Sequence, residues 1–315
     1  MRDHGGNLDA ARALHGGGDW IDLSTGINRV PYPLPPIPAE AWTALPTRTA
    51  LDSLIRAARS AYHTDAAILP VAGAQAAIQM IPRLATPGLA RVLGPTYNEH
   101  AAALREAGWR VKEVGDLSSL AGADLAVVVN PNNPDGRVQA PEALRQLAER
   151  VGQLVVDESF ADPVPDLSLA PDPGGALVLR SFGKFFGLAG VRLGFLLGDA
   201  GTVAGLAAMA GPWPVSGPAI AVGRMALADR DWARATTARL ADDAARLDGL
   251  AARAGWGLVG GGHLFRLYDT PDAPAAQAQL ARHRIWSRIF PWHDRWLRLG
   301  LPGLGEWDRV AAALA

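Results

Sequence analysis

The sequence predicts an α/β protein whose main sheet is mostly parallel. Three observations carry that reading. Short apolar runs alternate with helical segments from about residue 51 to residue 200. The runs are solidly apolar, as in "LAVVV" and "GFLLG", which suits strands covered on both faces. The chain has 315 residues and 49% apolar content, enough for one large domain or two intimate ones with a real core.

The elements follow in order. Residues 1–40 are rich in Gly and Pro, and "VPYPLPPIP" at 30–38 reads as an extended connection. A helix is expected over Leu51–Tyr62, where Leu51, Leu54, Ile55 and Ala58 form the i, i+3, i+4, i+7 stripe. "AGAQAAIQMI" is a turn running into a helix, "ARVLG" a strand, and "YNEHAAALREAG" a helix. "WRVKEV" and "DLAVVV" are strands; "PEALRQLAERV" is a helix with Pro141 in its first turn. "QLVVD", "ALVLRSF" and "GFLLGD" are three further strands. After Gly211-Pro212 one helical region rich in Ala, Arg and Asp covers about 217–254. The strand "HLFRLY", a helix, the strand "RWLRLGL" and a last helix complete a smaller α+β lobe. The expected domains are 41–215, and 1–40 with 216–315.

Composition narrows the function. A net charge of −1 gives no general attraction to nucleic acid or to anionic membranes. The lack of cysteine removes disulfides, thiol nucleophiles and cysteine-held metals, and fits a reducing compartment. The N-terminus has no apolar signal core and no run reaches membrane-spanning length, so a cytoplasmic protein is expected. The seven histidines form no HExxH-type pair, and no metal site is expected. Neither G-x-S-x-G nor a Walker A pattern occurs.

Four stretches carry candidate chemistry. "VVVNPNNPDG" ends a strand in turn residues, and turn chemistry alone accounts for it. The functional alternative is that Asn133 points its amide into the crevice at the strand's C-terminal end, where open α/β sheets bind ligands. Asp157 ends the strand 153–156. It is either a helix cap or a partly buried carboxylate needing a cationic or hydrogen-bonding partner. Lys184 stands among Phe182, Phe185, Phe186 and Leu188. It either snorkels over these side chains or serves as a Schiff-base amine in an apolar cleft. Gly73, Ala74 and Gln75 open a helix, whose free N–H groups and dipole suit an anion. Ser181 adds a hydroxyl and Arg192 a fork of donors. Trp213, Trp286 and Trp292 are candidates for the cleft, although packing is the commoner role of tryptophan.

Each signal is weak alone, but their combination is specific. An anion cup, an aromatic (Tyr97), an Asn, an Asp and a Ser/Lys/Arg cluster are what pyridoxal phosphate needs. Its aldehyde takes a lysine, its ring nitrogen an acid, its ring a stacking face and its phosphate a cup.

"NPNNPDG", "VVDESF" and "RSFGKFFGLAGVRLGF" resemble the signatures of fold-type-I, class I/II aminotransferase-like pyridoxal-phosphate enzymes, in the same order and spacing. The resemblance covers essentially the whole chain and implies a large domain with a mostly parallel sheet beside a smaller substrate-closing domain. Within the family, "HGGN", "DLSTGIN", "VAGAQAAIQ", "GPWPVSGPA" and "LRLGLPG" are similar to the threonine-phosphate decarboxylase branch of cobalamin synthesis. The resemblance implies that Lys184 holds the cofactor, Asp157 pairs with the pyridine nitrogen, Asn133 bonds the ring O3′ and Tyr97 stacks on the ring. Gly73, Ala74, Gln75, Ser181 and Arg192 would hold the phosphate. Arg298 would bind the substrate α-carboxylate, with Arg288, His4, Gly5 and Gly26 binding the rest of a phosphorylated amino acid, and Asn133 would contact substrate as well as cofactor. A homodimer is implied as well.

Three positions depart from the wider family. Phe160 stands where aminotransferases usually have Tyr, and the decarboxylase branch that the chain resembles commonly has Phe there. Leu45 stands where many relatives have a Tyr that reaches the phosphate across a dimer interface, and Gly26 where they often have Asn. The alternative activity is an aminotransferase of histidinol-phosphate type. A pyridoxal-phosphate-binding regulator is a third reading, but no basic DNA-binding segment is present.

Overall fold

The computed structural model describes residues 4–34 and 36–315. They form two compact units, one running through Pro31 and including Pro134–Gly136 and Trp232–Ala315, the other Tyr32–Asn133 and Arg137–Asp231. The divisions lie at 31/32 and 231/232, against 40/41 and 215/216 read from the sequence. Local contacts explain the shift. The Tyr32 N–H donates to Phe186 O at 2.9 Å. The helix at 217–228 packs on the helix at 48–62, where a Cβ on Gly223 would come within 3.0 Å of Leu54 Cδ1.

The chain opens with α1 (Leu8–His15) and a short strand β1 (Ile21–Asp22). Then come α2 (Ala39–Thr43) and α3 (Arg48–Tyr62). The Thr47 side chain caps α3 by accepting the Ala50 N–H, so the helix starts before the apolar stripe does. There follow β2 (Ala67–Val71), α4 (Ala74–Met80), β3 (Leu89–Leu93), α5 (Asn98–Glu106), β4 (Arg110–Val114) and β5 (Leu125–Val129). Next are α6 (Pro141–Ala148), β6 (Gln153–Asp157), β7 (Leu177–Ser181), α7 (Phe182–Phe185), β8 (Gly194–Gly198), α8 (Ala200–Ala210) and α9 (Gly217–Ala228). After α10 (Arg230–Arg253) come β9 (Gly257–Gly262), β10 (Phe265–Asp269), α11 (Ala273–Arg282), β11 (Ile285–Trp286), β12 (Arg288–Phe290), β13 (His293–Gly300) and α12 (Trp307–Ala313).

The larger unit is built on a seven-stranded sheet in the order β2-β8-β7-β6-β5-β3-β4. All its pairings are parallel except those of β8, which runs antiparallel to both β2 and β7. The sheet is therefore mostly parallel, as expected. Val92, Val127, Val155, Leu179 and Leu196 fill the core against Ala77 and Ile78 of α4 and Leu104 of α5. Burial on both faces is what the solidly apolar runs signalled. The C-terminal ends of β6 and β7 deliver Asp157 and Ser181, and the loop after β5 delivers Asn133.

The smaller unit carries an antiparallel sheet β12-β13-β10-β9 and a parallel pair β1-β11. Arg288 of β12 lies directly opposite Arg298 of β13. The expected single helical region at 217–254 is two helices, broken at Asp229, whose φ −85° and ψ 81° leave the helical range. No helix among the described residues is long and apolar enough to cross a membrane.

Candidate active site

All nine positions expected to hold a cofactor line one cavity of the larger unit. Its acidic wall is Asp157, which is only 3% exposed. Asp157 Oδ2 lies 2.8 Å from His100 Nε2. Oδ1 accepts the Ser159 N–H at 3.0 Å and the Ser159 hydroxyl at 2.5 Å. Burial alone would raise this carboxyl. The His100 hydrogen bond and charge, with the Ser159 bonds, outweigh it and hold the group below the usual carboxylate range.

Lys184 follows β7 on the single turn α7 and is half-buried in the same cavity. Its Nζ lies 6.0 Å from the centroid of Phe160, an apolar wall residue. The chain has only two lysines, and the other, Lys112, is exposed on the edge strand β4.

On the same cavity, Gly73 sits before α4 with φ 76°, a conformation that favours glycine. A Cβ there would lie 2.7 Å from Arg192 Nη2, so the bare glycine gives the guanidinium room beside the opening of the helix. Ala74 and Gln75 are the first residues of that helix, whose leading N–H groups have no intrahelical acceptor. Ser181 lines the same cavity. Tyr97, just before α5, meets the His100 ring edge-on at 6.2 Å between centroids. Its hydroxyl donates to Gln75 Oε1 at 3.3 Å. Asn133 is half-buried on the cavity lining.

Of the residues expected to bind substrate, Asn133 belongs to the larger unit, and His4, Gly5, Gly26, Arg288 and Arg298 belong to the smaller one. Arg298 is buried and donates from Nη2 to Ser24 O at 2.5 Å. Burial and the charge of Arg288, partly opposed by Asp22, push its pKa down to about 10. Asp22 Oδ1 accepts both the N–H and the hydroxyl of Ser24, at 2.9 and 2.5 Å, and the Gly6 N–H donates to Ser24 Oγ at 2.7 Å. A Cβ on Gly5 would lie 2.3 Å from Ser24 O. The glycines of "HGGN" thus allow the chain to press onto the Ser24 turn. His4 is exposed and Gly26 is buried.

The three tryptophans take other places. Trp286 packs edge-on against Trp20, Trp292 against Trp296, and Trp213 is exposed on a separate groove. Sequence reasoning missed His100, Ser159 and Glu99, which hold the cavity's walls. The signal for His100 was its place three residues after Tyr97, in the first turn of the helix that Tyr97 precedes.

The family model for "Aminotransferase class I and II" matches residues 39–308. The chain belongs to the class I and II aminotransferase family. A threonine-phosphate decarboxylase of Pseudomonas aeruginosa is 45% identical over 326 residues, covering 100% of this chain and 97% of that protein. A threonine-phosphate decarboxylase of a Sinorhizobium species is 43% identical, covering 99% and 97%. A histidinol-phosphate aminotransferase of Sinorhizobium meliloti, solved with pyridoxal-5'-phosphate, shares the fold at TM-score 0.82 and 22% identity, over 97% of this chain and 92% of that one.

This member of the class I and II family offers a donor set that fits pyridoxal phosphate. One cavity holds a primary amine, a buried carboxylate held ionised, an aromatic face, and an anion cradle of helix N–H groups and Arg192. Gly73 marks the cradle, since a side chain there would meet the guanidinium.

Proposed function

We propose that the protein is a pyridoxal-phosphate-dependent decarboxylase that converts L-threonine O-3-phosphate to (R)-1-aminopropan-2-yl phosphate, for the nucleotide loop of cobalamin. The observation that carries this reading is the 45% identity to a threonine-phosphate decarboxylase over the full chain.

When bound, the cofactor supplies an aldehyde for an amine and a protonated ring that accepts the electron pair of a bond broken at the α-carbon. Asp157 keeps the proton on the ring nitrogen, because a carboxylate held below its usual range stays ionised beside it. Asn133 donates to the ring oxygen. Phe160, at the position where a tyrosine would add a second donor, leaves Asn133 alone in that role. Tyr97 supports one face of the ring. The N–H groups of Ala74 and Gln75, the Ser181 hydroxyl and Arg192 hold the phosphate.

Arg298 and Arg288 bind the substrate's two anions, assisted by His4, Gly5 and Gly26. Arg298 takes the α-carboxylate and Arg288 the phosphate. Firm anchoring of the phosphate lets binding energy remote from the reacting carbon orient the bond to the carboxylate. The carboxylate leaves as CO2, and the Lys184 ammonium gives a proton to the α-carbon in its place.

We infer a homodimer from the same unit. Trp42, Leu45 and Trp213 are 66%, 65% and 53% exposed around one groove that also includes Arg192. Exposed apolar patches of this kind mark interfaces. Sedimentation of a fully active monomer would refute the dimer.

Carboxyl-labelled threonine phosphate tests the activity. Label should appear as CO2 without amino transfer to 2-oxoglutarate. Pyridoxamine phosphate forming in step with a keto acid, without CO2, would make the protein an aminotransferase.

A further inference from the structure

The first turn of α5 carries a buried acid that no step above uses. Glu99 is 6% exposed. An isolated buried carboxylate is costly, so its partner identifies its role. Gln75 Nε2 donates to Glu99 Oε2 at 3.0 Å. Gln75 Oε1, the other end of the same amide, accepts the Tyr97 hydroxyl at 3.3 Å.

These bonds have one direction. The NH2 end of Gln75 faces Glu99, whose carboxyl oxygen accepts from it. That leaves the amide oxygen toward Tyr97, whose hydroxyl must then donate. A glutamine beside a neutral partner could turn over and present NH2 to the tyrosine instead. Glu99 therefore fixes both the orientation of the amide and the direction of the next bond.

Tyr97 has a second contact from the same turn. Its ring meets that of His100 at 83° between planes, and His100 is itself bonded to Asp157. One helical turn thus fixes the tyrosine at its hydroxyl through Glu99 and along its ring through His100.

We propose that Glu99 is a positioning residue that sets the tilt of Tyr97 through the Gln75 amide, and so orients the cofactor ring against the bond to be broken. The inference rests on the reading that Tyr97 stacks on pyridoxal phosphate. It also gives Gln75 a second part. The side chain serves the aromatic wall, while the residue's backbone N–H serves the phosphate.

The test uses holoenzyme and reads two signals: circular dichroism in the cofactor's absorption band, and kcat for CO2 release. Glu99→Gln preserves shape but lets the Gln75 amide turn over. Tyr97→Phe keeps the ring and removes the hydroxyl. Each single variant should change the cofactor dichroism in the same sense and lower kcat by about threefold to tenfold. The double variant should fall no further than the lower single, because both cut one chain of bonds. Wild-type dichroism in Glu99→Gln, or effects that multiply in the double variant, would overturn the proposal. Should Glu99→Gln fail to fold, Tyr97→Phe decides alone, and unchanged dichroism there overturns it. Tyr97→Ala tests the underlying reading separately. Dichroism and cofactor affinity unchanged in that variant would refute stacking itself.

Discussion

Replacing Asp157 by Asn changes one atom and one charge at the centre of the cavity. The geometry dictates how the amide sits. Oδ1 accepts two bonds from Ser159, at 3.0 and 2.5 Å, so the amide oxygen must take that place. The NH2 then faces His100 Nε2, 2.8 Å away in the wild type, and His100 must carry its proton on Nδ1 to accept it. The fold can absorb this change, and cofactor affinity should fall little. Catalysis cannot absorb it, because a neutral amide no longer holds a proton on the ring nitrogen. Losing a charge-assisted bond at a site 3% exposed costs about 2–4 kcal/mol of transition-state stabilisation. At 1.36 kcal/mol per tenfold, kcat should drop roughly thirtyfold to a thousandfold. The assay is CO2 release at saturating cofactor, with cofactor affinity measured separately. A kcat within about threefold of wild type, with cofactor affinity lost instead, would refute the electron-sink role and leave Asp157 as a binding anchor.

Lys184→Ala should lose turnover by at least about a thousandfold, and borohydride should fix the wild-type cofactor to the peptide carrying Lys184; label on Lys112 would sink the assignment. Arg288→Ala should lower kcat/KM for threonine phosphate by about a hundredfold, as expected for a charged pair, while barely changing threonine turnover. An equal loss on both substrates would deny Arg288 the phosphate. Phe160→Tyr should shift the pH titration of the bound cofactor's absorption band by adding a donor near its ring oxygen, and an unmoved titration would remove Phe160 from the account.

The legible part of the fold is the part whose side chains report burial. β5, β6, β7 and β8 are solid apolar runs because both faces of the sheet are covered. β2 was harder to see: "AILPV" contains Pro70, which argues against a strand in mid-sheet but is tolerated at an edge, where β2 lies. β9 reads "GLVGGG", and glycines carry no side-chain pattern, so only its pairing with β10 defines it. The break at Asp229 was hidden by good helix formers on both sides, since local propensity does not record where tertiary packing turns the chain.

In the site, strand ends made Asp157 and Lys184 legible, while the groups that tune them were not. His100 is 57 residues from Asp157, and Glu99 is 24 from Gln75. Such contacts leave no spacing to read in a single chain. Gln75 shows the limit well: its position at the helix opening pointed to its backbone N–H, and nothing in the sequence signalled that its side-chain amide is engaged by Glu99 and Tyr97.

The arginine pair can be argued further. Arg288 and Arg298 face each other across neighbouring strands, where like charges destabilise a sheet. One of the two is buried and its pKa is pushed down to about 10, so the native fold carries that cost while folded. Asp22 offsets only part of it. We propose that the substrate's carboxylate and phosphate each meet one of these two cations, so that a phosphorylated amino acid engages both where a simple amino acid engages one. If so, threonine phosphate should raise the thermal midpoint of the protein at pH 8 far more than threonine at equal saturation, and Arg288→Ala should abolish most of that difference. Equal stabilisation by the two ligands in the wild type would mean that the second arginine serves the fold and not the substrate.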